Sequence, residues 1–343
     1  MSQHQLTDVA PLETAAVLDL PDRRPSPWGR AGLGVGLVLV LALPWLIYPP
    51  VATDIMAWGL FAVSVDLLLG YGGLLSFGHA AFWGASAYTT GLIVTRAGLP
   101  FPVAVLGGAL VAMLIAVPTG WLAVRRSGIY FAMVTLAYAQ MLFFIANQAR
   151  SLTGGENGLQ GIPKSFFGST LLESDPLYFY YAGLPFLLLG IWVARRTVRS
   201  PFGRVLMAIR DNPDRARSLG YDIEKYKVMA FVISAGLAGL AGGIFALSHG
   251  FVSLQDLAWT TSGKAVLITV LGGIGTIWGG PIGAAVVVML EDWLSSTGFE
   301  GIGIITGTIF VAIVLLFRRG LWGTAVVAAH AATARLANRG RDA

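Results

Sequence analysis

Cysteine is absent from this chain of 343 residues. Disulfides, zinc–thiolate sites and thiol nucleophiles are therefore excluded, and redox compartment cannot be read. Charge is scarce, at 12% of residues, against roughly 25% in a soluble domain. The four histidines, at positions 4, 79, 249 and 330, are too scattered to build the clustered constellation of a membrane-embedded enzyme. No second His, Asp or Glu stands at metal-ligand spacing from His79, so no metal site is expected. A phosphate-binding G-x-x-x-x-G-K-[ST] loop is also missing: Gly263-Lys264 has Ala258 where the first Gly belongs and Ala265 after the Lys. "TGGENGL" (153–159) lacks the Lys-Ser that would follow. The chain therefore has no means of cradling ATP in the usual way.

Apolar residues make up 55% of the chain. Stretches near the roughly 20 residues that cross a bilayer recur from residue 31 to 317. Backbone amides at that depth must be paired internally, which leaves helices or a closed barrel. The runs are too continuous for barrel strands. The expected fold is all-α, a polytopic integral membrane helix bundle. Spans are expected near 33–48, 53–70, 74–94, 101–123, 130–148, 178–194, 228–248, 264–277, 281–297 and 302–317. As one helix 264–297 would be about 51 Å long, so "GGIGTIWGGP" (272–281) is read as a break.

With ten spans and the N-terminus inside, 19 of the 23 Lys and Arg residues fall on the cytoplasmic side. Arg96, Arg150, Lys164 and Lys264 are the exceptions. That asymmetry places both termini in the cytoplasm. It also accounts for the net charge of +5 without nucleic acid. Residues 1–30 carry Asp8, Glu13, Asp19 and Asp22 before the first arginine, unlike a cleaved signal peptide, and read as a cytoplasmic tail. Residues 31–320 form the transmembrane domain and 321–343 a cytoplasmic C-terminal tail.

One loop breaks the pattern. "RRTVRSPFGRVLMAIRDNPDRARSLGYDIEKYK" (195–227) holds 13 of the chain's 41 charged residues. Charges cost roughly 2.5–3.5 kcal/mol each at the centre of a spanning helix, so this loop stays out of the membrane. Inside it Asn212 can cap a helix, Pro213 suits the first turn and Asp214 the positive end of the dipole. Gly220 is a natural stop, which predicts a helix over 213–219. So short a helix is marginal in water and needs a surface to hold it. A plain solvated connector is the competing reading.

"DRARSLG" (214–220) resembles the Glu-Ala-Ala-x-x-x-Gly coupling loop of ABC importer permeases, with Asp214 for Glu and Arg215 for Ala. "LLLGYGGLLSFGHAAFWGASAYTTGL" (67–92), "SLTGGENGL" (151–159), "SPFGRVLMAIRDNPDRARSLG" (200–220) and "LGGIGTIWGGPIGAA" (271–285) resemble, in order, one permease subunit of the branched-chain amino acid ABC importers. The resemblance covers most of residues 54–320 and implies several things. The chain would be a non-enzymatic permease of the bacterial inner membrane, carrying branched-chain or other hydrophobic amino acids. It would pair with a second homologous permease, two cytoplasmic ATP-binding subunits and an external solute-binding protein, within lipid. ATP and Mg would sit on the ATPase partners, with no cofactor on this chain. Arg210, Asp211, Asn212, Pro213, Asp214, Arg215, Ala216 and Gly220 would couple it to them. Relatives carrying urea, short amides or aromatic acids share these motifs, so the substrate stays open.

Ser76, Gly78 and His79 either line the pathway or belong to a small-residue contact between helices. Gly273 and Thr276 lie in "GGIGTIWGG", which echoes "GGLLSFG" (72–78) as a possible parallel repeat, and are further pathway candidates. Asp66 is expected to reach the cytoplasmic headgroups or water, and Glu291 with Asp292 the outer ones. An ion-coupled secondary transporter would instead need charge pairs in mid-span, which are scarce here.

Overall fold

The computed structural model describes residues 36, 38, 40–164, 175–296, 307–308 and 320–324. Residues 1–46 and 47–343 form two separate units. In the first, residues 40–46 are helical, the described part of the first expected span. The last expected span, 302–317, lies almost wholly outside the described residues.

The second unit runs α1 (Pro49–Asp66), a π-helical turn (Leu67–Tyr71), α2 (His79–Ala97), α3 (Phe101–Ala123), α4 (Ile129–Gln148), the single turn α5 (Arg150–Thr153) and strand β1 (Leu159–Gln160). Then follow α6 (Pro176–Arg199), α7 (Pro201–Asp211), α8 (Pro213–Ser218), α9 (Ile223–His249), strand β2 (Phe251–Val252), α10 (Trp259–Gly272) and α11 (Gly279–Ser296). Helices α1, α6, α7 and α8 open with proline in the first turn, where the missing amide would have no helical partner in any case. Among the described residues, the π-turn-extended α1, α3, α4, α6 and α9 are long and apolar enough to cross a membrane. The protein is a polytopic helical membrane protein.

Two details depart from expectation. The span expected from residue 74 starts as a helix only at His79, because 72–78 are irregular and Gly73 turns left-handed at φ +67°. Two short strands interrupt an otherwise helical chain: β1 and β2 pair antiparallel, with Leu159 opposite Val252. This ribbon ties the loop after α5 to the end of α9.

α1 and α9 form the centre, with α9 packed on α1, α2 and α3. The hydrophobic stretch of α1 is 94% buried, whereas α3 is 39% and α4 28% buried. So α1 is a core helix, and α3 with α4 turn apolar faces outward. Small residues let α9 approach its neighbours: a Cβ on Gly242 would fall 2.2 Å from the Trp83 carbonyl oxygen. One on Gly239 would meet the Ala109 backbone at 2.8 Å. Close backbone approach of this kind is how helices associate where lipid removes the hydrophobic drive.

Candidate functional site: the charged segment and the inner end of α1

Ser200 ends α6 and caps α7, its Oγ accepting from the Gly203 amide at 3.3 Å. α7 is amphipathic, burying Gly203, Leu206 and Ile209. Asn212 ends α7 and caps α8, its Oδ1 accepting from the Arg215 amide at 2.9 Å. Asp214 in the first turn of α8 pairs with Arg217 at 3.2 Å. Gly220 follows in the left-handed region at φ +87°, where only glycine sits without strain. Asp222 then caps α9, accepting from the Lys225 amide at 3.2 Å. The Lys225 ammonium, 2.9 Å from Asp222, holds that carboxyl below its ordinary range.

The connection is thus folded onto the bundle. Ile209, Ala216 and Ile223 form a small core with Val205 and Tyr226. This supplies the surface that the short helix needs. Ala216 is the inward anchor, while Asp211, Asn212, Pro213, Asp214, Arg215 and Gly220 are exposed. Leu219 is 72% exposed at the tip, an apolar side chain that sequence reading passed over. α7 was also missed, although its apolar period at 202, 205, 206 and 209 marks it.

Arg210 points the other way. Its Nη1 donates to the Gly70 carbonyl at 2.5 Å, while Nε and Nη2 bond Asp211 Oδ1 at 3.0 and 2.9 Å. Gly70 belongs to the π-helical turn that ends α1, and single π-turns often mark functional sites. Tyr71, on the same turn, donates its hydroxyl to the Gly275 carbonyl at 2.8 Å. Asp66 Oδ1 accepts from the Gly275 amide at 2.6 Å. So Asp66 does not reach headgroups or water. It is 1% exposed and holds the break between α10 and α11. A Cβ on Gly70 would lie 2.4 Å from Asp66 Oδ1 and 2.5 Å from the Gly275 nitrogen, so this junction requires glycine.

Of the pathway candidates, Gly273 and Thr276 lie in this break, where Thr276 Oγ1 donates to the Gly273 carbonyl at 2.6 Å. Ser76, Gly78 and His79 lie elsewhere, in a tight contact. Ser76 Oγ accepts from the Gly78 amide at 3.2 Å, and the Phe77 amide donates to Thr135 on α4. His79 Nε2 meets Ser234 Oγ of α9 at 2.7 Å, and Ser234 donates onward to the Ser64 carbonyl of α1 at 2.6 Å. A carbonyl only accepts, so the serine proton goes to Ser64 and His79 Nε2 carries the proton of their bond. His79 Nδ1 is buried with no hydrogen-bond partner among the described residues. Both groups therefore converge on the last turn of α1, through Ser64 and through Asp66. That turn links the charged segment, the α10–α11 break and the first turn of α2. Among the described residues no cluster of His, Asp and Glu could hold a metal.

The sequence profile of the family "Branched-chain amino acid transport system / permease component" matches residues 48–328. The high-affinity branched-chain amino acid transport system permease protein LivM of Escherichia coli K12 is 31% identical over 285 residues, covering 75% of this chain and 66% of that protein. Its counterpart in Salmonella typhimurium LT2 is 30% identical over the same shares. The autoinducer 2 import system permease protein LsrC of Klebsiella pneumoniae is 35% identical over 154 residues, covering 41% of this chain and 42% of LsrC. The chain thus spans just under two thirds of the LivM proteins it matches. No solved structure matches.

Proposed function

Since the chain belongs to the branched-chain amino acid transport permease family, we propose that it is the permease subunit of an ATP-driven ABC importer for branched-chain or other hydrophobic amino acids. The arrangement is ten spans with both termini cytoplasmic, in a bacterial inner membrane. A second, related permease completes the pathway, against the outward-facing flanks of α3 and α4 or beyond them. Two cytoplasmic subunits bind ATP and Mg, and an external binding protein delivers the substrate.

One observation carries this reading. α8 is a capped, exposed helix at the tip of a folded cytoplasmic segment, and Arg210 behind it bonds directly to the end of the core helix α1. The tip offers a partner Leu219 and the charges of Asp214 and Arg215. When the ATPases close, they push α7 and α8 as one piece, and Arg210 carries the push to the π-turn. From there Tyr71 and Asp66 carry it to the α10–α11 break. Copurification tests the proposal: the chain brings two ATP-hydrolysing subunits with it from detergent, and Asp214→Lys with Leu219→Asp releases them. Purification as a lone, transport-competent oligomer would overturn it.

A further inference from the structure

At the opposite end of the bundle, the first turns of α1 and α10 meet the last turns of α9 and α11. Asp54, Lys264 and Glu291 each stand five residues from a helix end, about 7–8 Å deep along the axis. Lys264 Nζ pairs with Glu291 at 2.5 Å and lies 4.2 Å from the centre of the Trp58 ring. Lys264, Glu291, Asp292 and His249 all act electrostatically on Asp54. Asp54, His249, Lys264 and Glu291 keep between a quarter and a third of their side chains exposed. Facing lipid, such a cluster would be costly, so it faces water.

This cluster lacks a cation. His249 Nδ1 lies 3.1 Å from the Phe245 carbonyl, which can only accept, so Nδ1 bears the proton. In the neutral ring Nε2 is then bare, 3.7 Å from Asp54 Oδ2, and donates nothing. Asp54 Oδ1 is buried with no hydrogen-bond partner among the described residues. Three carboxylates (Asp54, Glu291 and Asp292) thus share one fixed ammonium, and the innermost carboxylate has no donor. Beside it the rings of Trp58, Trp83 and Phe245 make an apolar wall, Trp58 lying 5.2 Å from Trp83 and 6.2 Å from Phe245.

We infer that this cluster is an entry subsite for a zwitterionic α-amino acid, with Asp54 taking the ammonium, Lys264 the carboxylate and Trp58 the apolar side chain. An ammonium supplies the donors Asp54 lacks, and charge-assisted bonds of this type are the strong ones. Lys264 can turn to a ligand carboxylate because Glu291 holds it in a pair that is part-exposed on both sides. The inference rests on the permease reading above, since it takes the ligand to be the transported amino acid.

The test uses the full chain in lipid nanodiscs and calorimetric titration with three probes. They are leucine, 3-methylbutylamine (the ammonium without the carboxylate) and 4-methylpentanoate (the carboxylate without the ammonium). Leucine binds, the amine binds more weakly at the same place, and the acid alone does not bind. Asp54→Asn weakens leucine and amine at least tenfold, whereas Asp54→Glu restores both. Lys264→Met weakens leucine tenfold and spares the amine, so retained amine binding shows that this variant is folded. Absence of leucine binding, or binding indifferent to both substitutions, overturns the site and leaves the two ion pairs as helix cross-links. In the assembled transporter, wild-type import that Asp54→Asn and Lys264→Met do not alter refutes the subsite alone. A wild-type assembly that imports no hydrophobic amino acid refutes the permease reading instead.

Discussion

Arg210→Gln separates a mechanical link from a docking contact. The guanidinium spans two elements, bonding the Gly70 carbonyl on one side and Asp211 on the other, and its side chain is 39% exposed. A hydrogen bond from a charged group contributes about 1.5–3 kcal/mol, and partial exposure reduces this to about 1–2 kcal/mol. If that energy keeps the charged segment and the π-turn moving together, its loss lowers substrate moved per ATP by about tenfold. ATP hydrolysis itself continues, because Asp214, Arg215 and Leu219 at the tip are untouched. Uptake and phosphate release are measured on the same proteoliposomes containing the whole transporter. Tyr71→Phe, which removes the hydroxyl bond to Gly275, lowers the same ratio. The double variant is little worse than either single one, as expected for two bonds in series. An unchanged ratio in Arg210→Gln, or strictly additive losses, would refute the link from α7 through the π-turn to the α10–α11 break.

Other substitutions probe neighbouring claims. Gly220→Ala meets no atom within 4 Å, so its cost is the left-handed backbone alone, about 1–2 kcal/mol. Uptake falls while membrane insertion, followed by fractionation, stays normal. Asp214→Lys removes an exposed pair with Arg217 that contributes at most about 1 kcal/mol. The melting temperature in detergent is therefore unchanged while ATPase binding, read by copurification, is lost. Ser234→Ala strands the His79 Nε2 proton in a buried contact, costing about 1–3 kcal/mol and visible as a lower melting temperature. Gly242→Val drives a side chain into the Trp83 carbonyl, so α2 and α9 must separate and the purified protein elutes as aggregate.

What the sequence made legible follows the range of the interaction. α8 was readable because its determinants are local: Asn212, Pro213 and Asp214 sit at the cap, and Gly220 two residues past the last turn. The break between α10 and α11 was readable for the same reason, from glycines alone. Asp66 was misread because nothing in its own neighbourhood announces that the Gly275 amide, 209 positions away, is its partner. Arg210 looked like one more charge on a partner-facing loop. The signal that it turns inward lies in Gly70 and Gly73, where a Cβ on Gly73 would strike the Arg210 side chain at 2.6 Å. Lys264 stood out only as an exception to the charge asymmetry. Its meaning depends on Trp58, Glu291 and Asp54, which share no segment with it. His79 and Ser76 were picked for being polar in an apolar run, and their setting proved to be a packed contact on α1.

The central claim is that this polypeptide transmits work and does not generate it, and vesicles decide it. Reconstituted alone, with a substrate gradient opposing uptake and ATP inside, the chain accumulates no hydrophobic amino acid. Adding the ATPase subunits, the second permease and the binding protein starts accumulation that stops when ATP is withdrawn. Accumulation against a gradient by the chain alone, driven by an ion gradient or by ATP, would contradict the account.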